Sequence, residues 1–138
     1  MEAKVNARNL RISTKKSYEV CNMIRNKTTE KAKRILTQVI NMERAVPYKK
    51  FLRDTPHRAG MAAGRYPIDT CKEILKIIES AEKNAQNKGI NGKLLISHLS
   101  SHKGPKQMHY GSKRRTEMKS THINLIVKEI QSKQETKK

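Results

Sequence analysis

The chain is 138 residues long, with 31 Lys and Arg against 12 Asp and Glu, a net charge of +19, and 4% aromatic residues with no Trp. That length makes one domain or a small domain with extensions; no run approaches the roughly 18–20 apolar residues of a membrane span, and Met1–Asn6 lacks the apolar core of a secretory signal. Cys21 and Cys71 lie too far apart for a zinc ribbon or a disulfide framework, and the charge excess resists compaction by self-repulsion, which points to a polyanionic partner: nucleic acid first, an anionic membrane surface second, an acidic protein third.

Val5 and Ala7 alternate with polar neighbours, and Leu10 and Ile12 resume the alternation one residue out of phase. This predicts a strand over 4–12 with a bulge. Ser13 reads as the N-cap of a helix from Thr14 to Asn26 that turns Ser17, Val20, Cys21 and Ile24 to one face. A second helix, capped by Thr28 or Thr29, carries Ala32, Ile35, Leu36, Val39 and Ile40 at helical spacing and ends near Arg44. Residues 45–66 hold Pro47, Pro56, Gly60 and Gly64 and read as a long, extended loop, a length that usually signals function.

A third helix opens with Pro67 as its first residue. It turns Ile68, Cys71, Ile74, Leu75, Ile78, Ala81 and Ala85 inward and stops at Gly89. Leu94, Ile96 and His98 alternate in a strand from Lys93 to about Ser101; Ile123, Leu125 and Val127 do so in another from His122 to Ile130. The basic segment between them makes an antiparallel hairpin that projects beyond the core, at about 103–121. The polar residues 131–138 read as a short disordered tail. The expected fold is α+β: a small three-stranded antiparallel sheet packed by three helices, one domain over 1–130, with a projecting basic β-hairpin.

The charge is clustered. Residues 1–16, 44–66 and 103–119 each hold a strong basic excess, whereas the third helix interleaves both signs as a solvated helix does. Lys and Arg beside phosphates release condensed counterions, and Arg can fork across two oxygens or stack on a base. The first patch offers Arg8, Arg11, Lys15 and Lys16. The last two sit in the first turn of a helix, where the dipole disfavours cations unless an anion joins them. The loop adds Lys49, Lys50, Arg53, Arg58 and Arg65. The hairpin adds Lys103, Lys106, Lys113, Arg114, Arg115 and Lys119.

Aromatics among basic residues stack on unpaired bases. Tyr110 in the hairpin, beside His109, is the better candidate; Tyr48, Phe51 and Tyr66 read rather as pins holding the loop to the core. His98 and His102 have metal-pair spacing only on a helix, and this segment reads as strand, so neither metal nor cofactor is expected. Cys21 and Cys71 read as buried thiols. None of the phosphate-loop, metalloprotease, nucleophile-elbow or CxxC motifs occurs, and acids such as Glu79 sit near Lys76 and Lys83 in the solvated-helix pattern, so no catalytic residue is expected.

Six blocks in chain order carry a resemblance. They are Ile12–Lys16, Ala45–Phe51, Gly64–Pro67 with the helix through Leu75, Ala81–Ala85 with Lys88-Gly89, His102–Lys106, and Gly111-Ser112 followed by His122-Ile123, Leu125 and Val127. From about 5 to 130 the chain resembles the large-subunit ribosomal protein L twenty-two family, in its archaeal and eukaryotic branch, called L seventeen in eukaryotes. The resemblance implies three strands, three helices and a projecting hairpin. It also implies a non-enzymatic constituent of the large ribosomal subunit that binds its RNA. The hairpin would line the polypeptide exit tunnel beside ribosomal protein L four and the nascent chain. Carried over, Lys103, Lys106, Lys113, Arg114 and Arg115 would contact RNA. The implied location is the cytoplasmic ribosome, with nucleolar assembly in a eukaryote.

One departure stands out. Only Lys106–Tyr110 separate Pro105 from Gly111, where the family carries a longer arginine-rich stretch, so the outgoing arm of the hairpin is short. The rival readings are a free RNA- or DNA-binding regulator, which would need base-reading side chains on an exposed helix, and an RNA-processing enzyme using His109 as a base.

Overall fold

The computed structural model describes residues 1–90 and 92–130. Strand β1 (Glu2–Leu10) leads into α1 (Thr14–Ile24) and α2 (Thr29–Ile40). Two short strands follow, β2 (Val46–Pro47) and β3 (Gly64–Arg65), and then α3 (Ile68–Asn87). Strands β4 (Leu94–Lys103) and β5 (Thr121–Glu129) close the fold. The main sheet is antiparallel in the order β1-β5-β4, so the last strand is the central one. The α+β architecture with three helices and a three-stranded antiparallel sheet is the expected one. The expected tail lies outside the described residues.

Alternation builds the sheet. Ile123, Leu125 and Val127 of β5 are fully buried beneath the helices, with Ala3 of β1 and Ile96 and Leu99 of β4 beside them. The slip expected in β1 is real: its register against β5 shifts between Ala7 and Leu10, and Asn9 takes φ 57°. A second shift between Ile96 and His98 was not foreseen. It turns His98 out to solvent and brings Leu99 into the core, so the expected Leu94–Ile96–His98 alternation fails at its last member.

The amphipathic face of α2 buries Ala32, Ile35, Leu36 and Val39, each larger side chain stabilising by roughly 1.5–3 kcal/mol. The helix ends four residues before the expected Arg44, at Ile40, because Met42 takes φ 61° and breaks the spiral. Thr28 caps it, accepting from Lys31 N–H. Ser13 stands at the N-cap of α1 but its side chain caps nothing; Ser17 instead donates to its carbonyl at 2.9 Å. Pro67 is the N-cap residue of α3 rather than its first helical residue, and Ile77 takes the buried place expected of Leu75, which is half-buried.

Gly89 closes α3 at φ 74°, with Ile90 N–H on the Ala85 carbonyl and Gly89 N–H on that of Gln86. That 6→1 and 5→2 pair is a Schellman stop. Cys21 and Cys71 are buried free thiols, and burial pushes both up to about 12. Glu79 takes no part in the ion pairs among the described residues; Lys76 pairs with Glu73 and Glu82 with Lys33 of α2.

Candidate nucleic-acid interface

The long loop is fastened at three points. Its ends pair as β2 and β3, with Val46 opposite Arg65 and Pro47 opposite Gly64. Tyr48 is buried, its hydroxyl without a partner among the described residues, and burial raises that hydroxyl to about 12. The third point is Glu19 of α1, only 1% exposed. Its Oε1 accepts the Lys50 and Phe51 N–H groups, both at 2.8 Å, and its Oε2 accepts that of Lys49 at 3.1 Å. A buried carboxylate taking three backbone donors sets the loop's path where two candidate lysines leave it. Sequence reasoning missed Glu19. The available signal was that it is the one acid between Glu2 and Glu30, adjoining the apolar face of its helix.

From that anchor the side chains build outward. Phe51 meets Tyr18 edge-on at 5.8 Å. Lys50 lies 4.8 Å above the Tyr18 ring and Lys15 5.8 Å from that of Phe51. Arg58 covers Tyr66 at 5.3 Å and Arg65 covers Tyr48 at 5.9 Å. Tyr48 in the core and Phe51 packed against it hold the loop, and each, like Tyr66, also carries a cation on its ring. Arg65 additionally bonds the Asp54 carbonyl. Arg53 is exposed at 3.7 Å from the Asp54 carboxylate.

The first and third patches, far apart in sequence, meet beside the start of α1, with Tyr66 at the end of the second. Arg11, Lys16 and Lys119 line one cleft of about 280 Å³ with Ser13, Tyr66 and the first turn of α3 through Thr70, in which Asp69 is the one acid. Arg11 and Lys119 also line a neighbouring cleft of about 350 Å³ with His109 and Met118. Thr121 makes the junction possible: its buried hydroxyl donates to the Ile12 carbonyl and lies 2.8 Å from that of Thr14, tying the start of α1 to the base of the hairpin. No acid occupies the first turn of α1, so Lys15 and Lys16 face the positive end of the dipole without a counter-charge from that turn.

The segment between β4 and β5 keeps its arms joined past the sheet. Gly104 N–H bonds the Ser120 carbonyl, Met118 N–H that of Gln107, and His109 N–H that of Thr116. A single 3₁₀ turn, Gly111–Lys113, forms the tip. Lys113, Arg114 and Arg115 are exposed there, and Tyr110 is 87% exposed. Lys106 and Lys103 are less free: both reach Glu117 across the hairpin, at 3.0 and 3.6 Å. The hydrogen bond from Lys106 holds that carboxyl below its usual range. Arg8 is exposed on β1 and lines neither cleft; Lys49 is exposed beside the Glu19 anchor. The described residues contain no cluster of His, Cys, Asp or Glu fit for a metal, and no helix among them is long and apolar enough to cross a membrane.

The sequence pattern of the family described as ribosomal protein L22p/L17e matches residues 5–128. The chain is similar to the large ribosomal subunit protein uL22 of Methanopyrus kandleri, 43% identical over 107 residues, covering 74% of this chain and 67% of the relative. The protein of the same name from Methanococcus vannielii is 44% identical over 106 residues, covering 74% and 69%. That of Nanoarchaeum equitans is 39% identical over 145 aligned positions, covering 99% and 83%. A match along almost the whole described chain, with archaeal relatives at these identities, makes the kinship plain: the chain belongs to the L22p/L17e family of ribosomal proteins, on its archaeal branch.

Proposed function

We propose that the chain is a structural constituent of the large ribosomal subunit that binds large-subunit ribosomal RNA, as one domain over 1–130 with a short tail. The observation that carries this is the meeting of Arg11 and Lys16 with Lys119, from two basic segments about a hundred residues apart, in clefts beside the start of α1, whose own first turn holds no acid. Phosphates arriving there satisfy side-chain charge and helix dipole together. Lys15, Lys49, Lys50, Arg53, Arg58 and Arg65 extend the contact along the loop, and Arg8 along β1. His109, Tyr110, Lys113, Arg114 and Arg115 extend it over the hairpin, with Lys103 and Lys106 once Glu117 releases them. The work is electrostatic and architectural rather than catalytic.

The family resemblance supports the finer reading. The segment 103–121 forms part of the polypeptide exit tunnel wall, beside ribosomal protein L four and the nascent chain, and the place of work is the ribosome. The short arm from Lys106 to Tyr110 gives it a limited reach. The test is a sucrose gradient of source-cell lysate blotted for this chain at low and high salt. Co-migration with large subunits through a moderate salt wash is expected. Retention at the top of the gradient at both salts would refute the reading and favour a free RNA- or DNA-binding regulator.

A further inference from the structure

The basic patches leave most of one large surface unused, with Arg8 alone of their candidate residues on it. All three helices lie on one face of the sheet, over Ile123, Leu125 and Val127, and burial alternates strictly along β5. The opposite face is open and mostly polar, with Ile126 near its centre and Leu95 on β4. Asn6, Asn124 and Ser100 stand in one row across the three strands, paired Asn6↔Asn124 and Ser100↔Asn124. In the next row His102 stands opposite His122. His98 and His102 each place Nε2 3.1 Å from the Ser100 hydroxyl. His122 Nδ1 accepts the Asn9 N–H at 3.1 Å, which leaves Nε2 as its outward donor. The charged members of this face are Lys4, Arg8 and Lys128, with Glu2, which Lys4 already pairs at 2.8 Å.

The geometry points to this open sheet face as a second RNA-contact surface, one that reads 2′-hydroxyls and base edges through the Asn6–Asn124–Ser100 row and its flanking histidines. The inference rests on the RNA-binding reading above and adds to it a surface, a chemistry and a preference for RNA over DNA. Amides, hydroxyls and imidazoles both donate and accept, as a 2′-hydroxyl does, whereas lysines and arginines can only donate. The cations at the margin and the neutralised Glu2 suit a polyanion. They do not suit the chain's own residues 131–138, which carry three lysines and one glutamate.

The test compares a 20-base-pair RNA duplex with a DNA duplex of the same sequence, using the full chain, the Asn6→Ala/Asn124→Ala double variant and the Arg11→Gln/Lys16→Gln double variant. Thermal midpoints check that each is folded. The unaltered chain should prefer RNA by about fivefold or more, the worth of one or two net hydrogen bonds. The asparagine variant should lose that preference with its salt dependence unchanged. The cleft variant should weaken binding to both duplexes and flatten the salt dependence. The Asn6 and Asn124 side-chain amide signals should move on adding RNA.

Equal binding of RNA and DNA by the unaltered chain, or an asparagine variant that keeps the preference, overturns the inference and leaves the RNA-binding reading standing. Failure of the unaltered chain to bind RNA removes both. Asparagine signals that move on deleting residues 131–138, and not on adding RNA, assign the face to the tail instead and overturn the inference.

Discussion

Replacing Glu19 by Gln is expected to destabilise the fold by about 2–4 kcal/mol. The carboxylate is 1% exposed and accepts three backbone N–H groups, two on Oε1 and one on Oε2. Gln keeps one acceptor oxygen, which can hold the Lys50 and Phe51 donors, but it presents an NH₂ to the Lys49 N–H. One bond is lost outright, a buried donor is left unsatisfied at about 1–3 kcal/mol, and the two survivors lose their charge assistance, which separates bonds worth about 1.5–3 from those worth about 1 kcal/mol. With urea m-values of about 1–3 kcal/mol/M, the midpoint should fall by about 1–2 M with m unchanged. Hydrogen exchange adds the local readout: amides 49–51 should lose protection more than those of α3. A stability change under about 0.5 kcal/mol with amides 49–51 still protected would refute the claim that Glu19 sets the loop. RNA affinity should fall along with the loop, because Lys49 and Lys50 leave the chain at that anchor.

The other predictions concern separate features. Cys21 and Cys71 should resist thiol reagents at pH 8 in the native protein and react promptly in urea, since burial holds both near 12; fast native labelling would contradict their burial. Because the unfolded thiols ionise from their ordinary value of 9 and the folded ones do not until about 12, the stability present below pH 9 should drain away as pH rises from 9 to 12, Tyr48 adding in the same direction; rising stability over that window in thermal melts would show the sign is wrong. Glu117→Gln should free Lys103 and Lys106 and tighten RNA binding about two- to fivefold in filter binding at fixed salt, with little change in melting, exposed ion pairs being worth little. Gly89→Ala should cost about 1 kcal/mol in chemical denaturation because the position holds φ 74° with open space around it, so the strain is purely backbone.

Much of the fold was legible because it rests on short-range pattern. The 3.6-residue spacing of Ala32 to Val39, the period-2 runs around Ile123 to Val127, and Gly89 as a stop each encode an element within a few residues. The slip in β1 was legible for the same reason, as two alternating runs out of phase. What stayed hidden depends on contacts far apart in sequence. The bulge that expels His98 shows only against β5, since nothing local separates Ile96–His98 from Ile96–Leu99. Ser13 looked like a cap, yet the Ser17 hydroxyl takes its carbonyl.

The candidate site divides in the same way. Its basic segments were visible as charge clusters, but the meeting of the first and third beside α1 is the work of Thr121, some hundred residues from Thr14. Glu19 went unseen because a lone acid on a helix reads as solvated until the loop it binds is in place. Lys103 and Lys106 looked like free cations until the hairpin brought Glu117 between them.

The sheet ends matter for the time before the chain meets any partner. Along β4 the backbone of the α1–α2 connection takes up the edge: Asn26 N–H bonds the Ile96 carbonyl, and Ile96 N–H bonds that of Lys27. Along β1, Asn84 of α3 and Lys88 just beyond it reach the Lys4 and Glu2 carbonyls. A three-stranded sheet normally offers two rows of open main-chain groups to any passing strand. Here both margins are partly spoken for within the chain, and the mutual repulsion of +19 charges keeps copies apart. A freshly made copy is therefore guarded against edge-to-edge aggregation during its wait for assembly, by the same connection and helix that build its core.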